Sequence, residues 1–488
     1  MNQIGTPLPA LSPQGGERDG VRGRFMESAA AMIRSSLRNC MRPLRVLAAV
    51  CLAAGVAFGQ NAGSPPASLR EQIQSRVDRE YPGLFELYRH LHTHPELSLH
   101  EEKTGQKVAE ALKQAGLEVT ARVGGYGVVG VLRNGNGPTV LVRTDLDALP
   151  VKEQTGLPYA SQARAVDDKG NEVDVMHACG HDVHMSVLVG AARLLSALKD
   201  RWQGTLVMIG QPAEEKGSGA RAMLKDGLFT RFPRPDYCIA LHDKADLEAG
   251  TVGYIEGYAL GNVDSVDITI RGIGGHGAWP HKTKDPIVLA AETVLALQTI
   301  VSREIPPGEP AVVTVGSIHG GTKHNIIPDE VLLQLTLRSY TDEVRQQTIA
   351  AINRITRGLA EAAGLPEDHL PMVTLREQEF TPATYNDPVL TRRLAAAFKN
   401  WFGEANVRPM KPVMGGEDFS EYGRTKDKIP ICLFWLGAVK PERVVESEKT
   451  GKPLPSLHSS QFAPEPEPTI KTGVMAMTVA VLELAGRK

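Results

Sequence analysis

Short apolar runs alternate with amphipathic stretches of helical length in the first half of the chain. Runs at residues 139–143, 205–210 and 237–241 predict buried strands, and residues 182–198 carry apolar side chains at helical spacing. Apolar strands that alternate with helices are typical of a parallel sheet covered on both faces. The pattern therefore predicts an α/β fold with a mostly parallel sheet.

A different order of elements begins after Gly261. The pattern predicts strands at 263–271, 311–319, 330–338 and 372–380 and helices at 285–302 and 341–363. The order β-α-β-β-α-β is that of a ferredoxin-like, or split βαβ, unit. We interpret residues 262–380 as an inserted α+β domain. The first pattern then resumes, so residues 64–260 and 381–488 are predicted to form two parts of one larger domain.

The first sixty residues differ from the rest of the chain. Arg42 and Arg45 precede a short apolar run at 46–58, and the small residue Gly59 follows it. This is the pattern of an export signal, so residues 1–60 are predicted to be a leader with the signal at about 41–59. The run is short for a membrane span, although an N-terminal membrane anchor is the alternative. We expect a periplasmic or secreted protein with no membrane contact after cleavage.

Composition narrows the functional classes. The 488 residues are 42% apolar and 23% charged, with a formal net charge of -2, the balance of a soluble globular protein. No run of like charges stands out in the body of the chain, so nucleic-acid binding is not expected. Cys179, Cys238 and Cys432 follow the leader, and an odd number leaves at least one of them free.

The densest group of potential metal ligands lies at residues 177–184. It contains His177, Cys179, His181 and His184, and Gly180 permits a tight bend between two of them. Cysteine and histidine are common ligands of zinc-like ions. Because the group lies between a loop and the start of the predicted helix, its side chains can point into one cleft.

Acidic pairs follow two of the predicted strands. Glu214 and Glu215 come after residues 205–210, and Asp145 and Asp147 come after residues 139–143. The carboxyl ends of such strands meet at the edge of the sheet where ligands bind. One glutamate can therefore bind a metal ion while the other accepts a proton from the attacking water. Asp145 and Asp147 are either ligands or residues that orient ligating imidazoles; we favour the second role and assign it to Asp182 as well.

Seven motifs resemble those of the metallopeptidase family that contains hippurate hydrolase, N-acyl-amino-acid amidohydrolases and auxin–amino acid conjugate hydrolases. They occur in the order expected for that family, and the resemblance extends from about residue 84 to the C-terminus. The motifs are 143–150 (RTDLDALP), 176–182 (MHACGHD), 211–215 (QPAEE), 274–281 (GGHGAWPH), 325–329 (NIIPD), 414–419 (MGGEDF) and 457–458 (LH).

The resemblance implies a two-metal hydrolase that cleaves the amide bond of small-molecule N-acyl amino acids. Its metal ligands would be Cys179, His181, Glu215, His242 and His458. The cysteine would bridge two divalent ions, with manganese or zinc as the first expectation and cobalt or nickel as alternatives.

The resemblance also assigns roles at the substrate. Glu214 would be the general base, and His276 on the inserted domain would help to polarise the scissile carbonyl. In relatives this histidine can come from the partner subunit, so we expect a homodimer formed through an inserted domain that also closes over the substrate. Asn325 and Arg338 would hold the substrate carboxylate, and the arginine suits a bidentate contact.

The chain departs from the family pattern at Val183, at Asp243 and Lys244, and just after His458. These positions bear on substrate choice more than on chemistry. Two alternative functions stay open. A dipeptidase or exopeptidase would use the same site, and a non-catalytic periplasmic binding protein would keep the fold, although the complete ligand set and Glu214 argue against the second.

Overall fold

The structure, a computed structural model, describes residues 67–487. The leader and export signal predicted over residues 1–60 lie outside the described residues. Within them, most predicted elements are observed with small shifts of their ends. The helix predicted at 182–198, for example, is observed at His181–Ala197.

The strands belong to two main sheets and to three short two-stranded ribbons. In chain order they are β1 (Glu118–Val123), β2 (Gly127–Asn134), β3 (Thr139–Asp145), β4 (Arg164–Val166), β5 (Glu172–Asp174), β6 (Gly204–Gln211), β7 (Tyr237–Glu248), β8 (Val252–Tyr254), β9 (Gly257–Leu260), β10 (Asp264–Arg271), β11 (Gly275–His276), β12 (Ala311–Gly320), β13 (Ile326–Ile327), β14 (Glu330–Ser339), β15 (Met372–Leu375), β16 (Thr384–Asn386), β17 (Val407–Pro409) and β18 (Ile431–Val439).

Eleven α-helices accompany these strands in the described residues. In chain order they are α1 (Ala67–Thr93), α2 (Glu102–Gln114), α3 (His181–Ala197), α4 (Gly219–Lys225), α5 (Leu228–Arg231), α6 (Pro286–Thr299), α7 (Asp342–Ala362), α8 (Pro388–Phe402), α9 (Ser420–Arg424), α10 (Pro441–Thr450) and α11 (Pro466–Ala485).

The larger sheet has eight strands in the order β1-β2-β6-β3-β7-β18-β8-β17. Its four central strands, β6, β3, β7 and β18, are parallel, as the apolar pattern predicts. Its flanks are mixed, because β1 and β2 pair antiparallel across a short turn and β8 runs antiparallel to β18. Antiparallel neighbours need only a tight turn, whereas parallel neighbours need a crossover, commonly a helix. Helices α1, α3, α8 and α11 pack on one face of this sheet around a common apolar core.

The smaller sheet has the order β12-β14-β10-β15, and all of its pairs are antiparallel. This sheet has a separate apolar core, to which helices α6 and α7 contribute. The core contains Ile268 of β10, Leu333 of β14 and Ile352 of α7. The β-α-β-β-α-β order predicted for residues 262–380 is therefore observed. The last strand ends at Leu375, earlier than predicted, because a single helical turn forms at Glu377–Glu379. The role of this unit as a lid or dimerisation surface stays a prediction.

Two described helices are long and apolar enough to cross a membrane by length and composition alone. In α11, 72% of the most apolar window is buried inside the protein, as expected of a core helix. In α6, continued to Glu304, only 33% is buried. Helix α6 therefore presents an apolar surface to solvent.

The carboxyl edge of the parallel strands carries the polar residues singled out in the sequence. Strand β3 ends at Asp145, which is in register with Gln211 at the end of β6. His242 lies within β7 and not at its end as predicted, because β18 pairs with β7 as far as Glu248. Trp435 of β18 is the register partner of His242 and forms a wall beside it.

Candidate metal centre and substrate cleft

Five predicted ligands, distant in sequence, lie together at this edge. The Sγ atom of Cys179 lies 3.5 Å from Nε2 of His242 and 3.3 Å from Nε2 of His458. Oε1 of Glu215 lies 3.5 Å from Nε2 of His458 and 3.9 Å from Nε2 of His181. The side chains predicted to bind metal therefore converge on one small volume.

Two of the candidate metal-binding groups share the sulfur of Cys179. Cys179, His181 and His242 place their donor atoms within 4.8 Å of one another, and so do Cys179, Glu215 and His458. Thiolate, imidazole and carboxylate are all ligands of zinc-like ions. If two cations bind here, the thiolate of Cys179 would belong to the ligand sets of both.

Local backbone geometry explains why Cys179 and His181 face the same cleft. Gly180 between them has a φ of 80°, in the left-handed region that favours glycine. A Cβ atom at this position would lie 2.4 Å from Oδ2 of Asp243, so no side chain fits there. Helix α3 then begins at His181.

Backbone carbonyl groups set the orientation of two imidazoles. Nδ1 of His181 donates to the carbonyl oxygen of Asp147 at 2.8 Å, and Nδ1 of His242 donates to that of Asp243 at 2.8 Å. A proton held on Nδ1 leaves the Nε2 lone pair free for a cation. Both Nε2 atoms point towards the sulfur or the carboxylates of the group.

The chemistry of these residues fits a pair of divalent cations. Nε2 of His181 and Oε1 of Glu215 are buried without a hydrogen-bond partner among the described residues, which is costly unless a cation satisfies them. Burial raises the pKa of the Cys179 thiol well above its ordinary value, and the negative charges of Glu215 and Glu214 raise it further. A thiolate at this position therefore requires cations beside it.

Glu214, the predicted base, lies outside the two groups that share Cys179, although its carboxylate also forms a candidate metal-binding group with His181 and Glu215. Oε2 of Glu214 is 3.9 Å from Nε2 of His181, and only 9% of the residue is exposed. Burial raises the pKa of Glu214 well above its ordinary value, and the nearby negative charge of Glu417 raises it further. Ala213, directly before it, has a φ of 49°, a strained conformation for a residue other than glycine.

The three aspartates predicted to orient ligands occupy different positions. Asp147 lies behind His181 and also accepts a hydrogen bond from the backbone N–H of Glu215 at 2.9 Å. Asp145 accepts from Arg143 at 2.6 Å. Asp182 differs from the prediction, since its carboxylate contacts His92 at 2.7 Å and its own helix start instead of a ligating imidazole.

His184 has a supporting role that the sequence did not reveal. Its Nε2 accepts a hydrogen bond from the backbone N–H of Asp243 at 2.9 Å, so Nδ1 carries the proton and donates to Asp145 at 2.8 Å. His184 thus holds the backbone N–H of Asp243, the residue whose carbonyl orients His242. Its place in the histidine-rich motif was visible in the sequence, but its partners were not.

A buried ion cluster supports the ligand edge from behind. Arg143 is 2% exposed and donates to Glu417 at 2.8 Å and to Asp418 at 3.3 Å, in addition to Asp145. Gln211 also donates to Asp418, at 2.6 Å. The two acidic residues belong to the MGGEDF motif, which the sequence marked without assigning a role.

A cleft of about 870 Å³ opens over the candidate metal centre. Its apolar wall includes Leu260, Val413, Met414 and Trp435. Arg338 also lines it, and no described residue accepts a hydrogen bond from its guanidinium group. The predicted carboxylate-binding arginine therefore faces the cleft that contains the ligands.

His276 and Asn325 do not line this cleft. They lie together on the exposed ribbon of β11 and β13, where the backbone N–H of Gly277 donates to the carbonyl of Asn325 at 2.9 Å. The chain's own fold therefore brings these two residues to each other but not to the cleft of the same chain.

Comparison with known proteins gives consistent matches. The family model described as peptidase family M20/M25/M40 matches residues 141–450. N-acetyl-L-cysteine deacetylase of Bacillus subtilis is 35% identical over 74% of this chain and 83% of its own length. Hippurate hydrolase of Campylobacter jejuni is 37% identical over 70% of this chain and 86% of its own length.

A solved structure gives the same fold. A dinuclear metal-binding peptidase of the M20 family from Bacillus subtilis is 28% identical, with a TM-score of 0.64 over 85% of this chain and 99% of its own. Its two metals accord with the two ligand groups that share Cys179. This chain therefore belongs to peptidase family M20/M25/M40 and is a metal-dependent amidohydrolase with a dinuclear metal site.

Proposed function

We propose that this protein hydrolyses the amide bond of N-acyl amino acids, such as hippurate or related conjugates. One observation carries the proposal: two groups of metal-binding atoms share Cys179, with Glu214 beside them and Arg338 in the same cleft. The similarity to a hippurate hydrolase and to an N-acetyl-L-cysteine deacetylase supports this substrate class.

Glu214 moves the proton in the proposed reaction. The two divalent ions, when bound, supply Lewis acidity that activates water and polarises the carbonyl. Glu214 accepts a proton from the attacking water and delivers it to the nitrogen of the leaving amine. Its burial beside Glu417 favours the protonated carboxyl group that the second step requires.

The cleft fits both ends of the substrate. Arg338 pairs with the carboxylate of the amino acid through two parallel N–H donors. The apolar wall that contains Leu260, Met414 and Trp435 accommodates the acyl group and excludes water from the reacting carbonyl.

We propose that His276 acts at the site of a second copy of the chain, within a homodimer. Its absence from the residues that line the cleft of its own chain supports this, as does the apolar surface of α6, where Leu295 is 72% exposed. Strand β12 is also an edge strand of the smaller sheet and carries Ile318, 53% exposed. Mixing inactive His276→Ala and Glu214→Gln proteins tests the proposal, because a mixed dimer would regain one complete site.

A substrate panel on metal-reconstituted protein tests the proposed reaction. Hippurate and other N-acyl amino acids are compared with dipeptides, with manganese, zinc, cobalt or nickel supplied separately. We expect release of amino acid from the N-acyl substrates, and Glu214→Gln is expected to keep its metals and lose turnover. Preference for dipeptides would favour the exopeptidase alternative, and tight binding without product release would favour a binding protein.

We also propose that the protein is exported, on the support of the basic and apolar pattern at residues 41–59. Expression in a bacterial host followed by fractionation and N-terminal sequencing tests this proposal. Cleavage near Gly59 with the product in the periplasm is expected. Retention of the uncut chain in the membrane would favour the N-terminal anchor.

A further inference from the structure

The turn that carries Glu214 contains a strained residue held by hydrogen bonds on both sides. Ala213 has a φ of 49°, a left-handed conformation that residues other than glycine rarely adopt. Its carbonyl oxygen accepts from the backbone N–H groups of Ser218 and Gly219, each at 3.2 Å. Its own N–H donates to Oε1 of Glu101 at 2.7 Å, across 112 residues of sequence.

Glu101 is buried and directed at this turn. It is fully shielded from solvent, and the same Oε1 atom accepts from the backbone N–H of Leu99 at 2.9 Å. Leu99 is also left-handed, with a φ of 69°. Glu101 precedes helix α2 at the N-cap position, yet its side chain caps no N–H group of that helix. One carboxylate oxygen thus joins two strained backbone segments.

Helix capping does not explain why the Glu101 carboxyl group is buried, because its side chain caps no N–H group of α2. Oε2 of Glu101 is buried and has no partner among the described residues, and an unpaired buried oxygen is costly. Burial raises the pKa of Glu101 to about 7, so the carboxyl group is partly neutral near neutral pH. What the fold holds in place is Oε1 of Glu101, the acceptor for the N–H groups of Leu99 and Ala213.

We infer that Glu101 is a positioning residue that holds Ala213 in its left-handed conformation and thereby directs Glu214 towards the reacting water. This inference rests on the proposed function only for the role of Glu214 as the base. The hydrogen bond itself can be tested without turnover.

The direct test is hydrogen exchange of the peptide that contains Ala213, measured on the metal-loaded protein. Glu101→Leu removes the acceptor, and loss of one hydrogen bond is expected to speed exchange of that amide about tenfold. Glu101→Gln keeps an oxygen acceptor and is expected to retain protection. Glu96→Gln is the matched control, because Glu96 accepts from Thr104 at the start of α2 and does not contact the turn.

Kinetics with an N-acyl amino acid complete the test. Glu101→Leu is expected to lower kcat about 100-fold, as a small displacement of a catalytic group can, with KM and metal content little changed. Glu101→Gln should restore most of kcat, and Glu96→Gln should leave it unchanged. If Glu101→Leu fails to fold, Glu101→Asp, shortened by one methylene, carries the same expectations.

Unaltered exchange at Ala213 together with wild-type kcat in Glu101→Leu would overturn the inference. A glutamine variant as impaired as the leucine variant would also overturn it, because the charge and not the acceptor would then matter. A wild-type protein without hydrolytic activity would refute the proposed function, while the exchange result would still decide the role of Glu101.

Discussion

The Sγ atom of Cys179 lies 3.3 Å from Nε2 of His458, although 279 residues separate them along the chain. The same sulfur belongs to the second ligand group, with His181 and His242. Its replacement should therefore affect both cations, whereas replacement of a terminal ligand should affect one.

Metal content tests this difference. Cys179→Ser is expected to lose both ions on dialysis and His242→Ala only one, as measured by elemental analysis per folded chain. Cys432→Ser is the control, because Cys432 is buried in β18 and contacts Thr391 instead of the ligands. Equal metal loss in Cys179→Ser and His242→Ala would argue against a bridging thiolate.

His184 provides a second prediction. His184→Phe removes both hydrogen bonds of the imidazole while keeping a ring, so Asp243 and with it His242 lose their fixed orientation. We expect metal affinity to fall about 10–100-fold, as measured by competition with a chelator. His184→Gln can donate to Asp145 and accept from the Asp243 amide, and should lose less. Wild-type affinity in the phenylalanine variant would reduce His184 to a packing residue.

The buried histidine on α1 predicts a pH dependence of stability. Burial lowers the pKa of His92, but hydrogen bonds to Asp182 and Glu153 outweigh it and raise the pKa to about 10 from an ordinary 6.5. The folded protein therefore holds this proton more tightly than the unfolded chain. The stabilisation is complete below pH 6.5 and is lost as the pH rises towards about 10.

Thermal unfolding of the wild type and His92→Gln measures this dependence. Glutamine is neutral throughout, so the Tm advantage of the wild type should be largest near pH 6.5 and should shrink towards pH 10. A Tm difference that stays constant over this range would show that His92 stabilises the fold without its charge.

The apolar surface of α6 predicts the oligomeric state. Leu295→Glu places a charge where a second copy is proposed to pack, and should convert a dimer to a monomer in sedimentation experiments. Val389→Glu is the control, because Val389 is 69% exposed but lies on α8, which packs on the larger sheet. A monomeric wild type, or dissociation of both variants, would contradict the proposed interface.

Apolar periodicity predicted most of the fold, because strands such as β3 and β6 are continuous apolar runs next to clear turns. It did not distinguish the antiparallel flanks, since Gly127–Asn134 reads as a buried strand whichever neighbour it pairs with. The predicted end of β7 was wrong for a related reason. Pairing with β18 extends β7 past His242, and such a long-range contact leaves no local mark in the sequence.

Residues whose side chains can bind metal directly were predictable from the sequence, whereas residues that position other groups were not. Cys179 and Glu215 carry ligand chemistry in their identity and in the family resemblance. Glu101 and His184 act through backbone groups of residues far away in sequence, so their roles depend on coordinates. Asp182 was predicted, with Asp145 and Asp147, to orient ligating imidazoles, but its carboxylate contacts His92.

Strand β18, placed between β7 and β8, also constrains when the protein can be loaded with cations. A ribosome that has made only the first 400 residues has produced four of the five ligands, but neither the strand beside His242 nor His458. The group formed by Cys179, Glu215 and His458 is therefore assembled last, and the full ligand set exists only once the C-terminal segment has docked on the sheet.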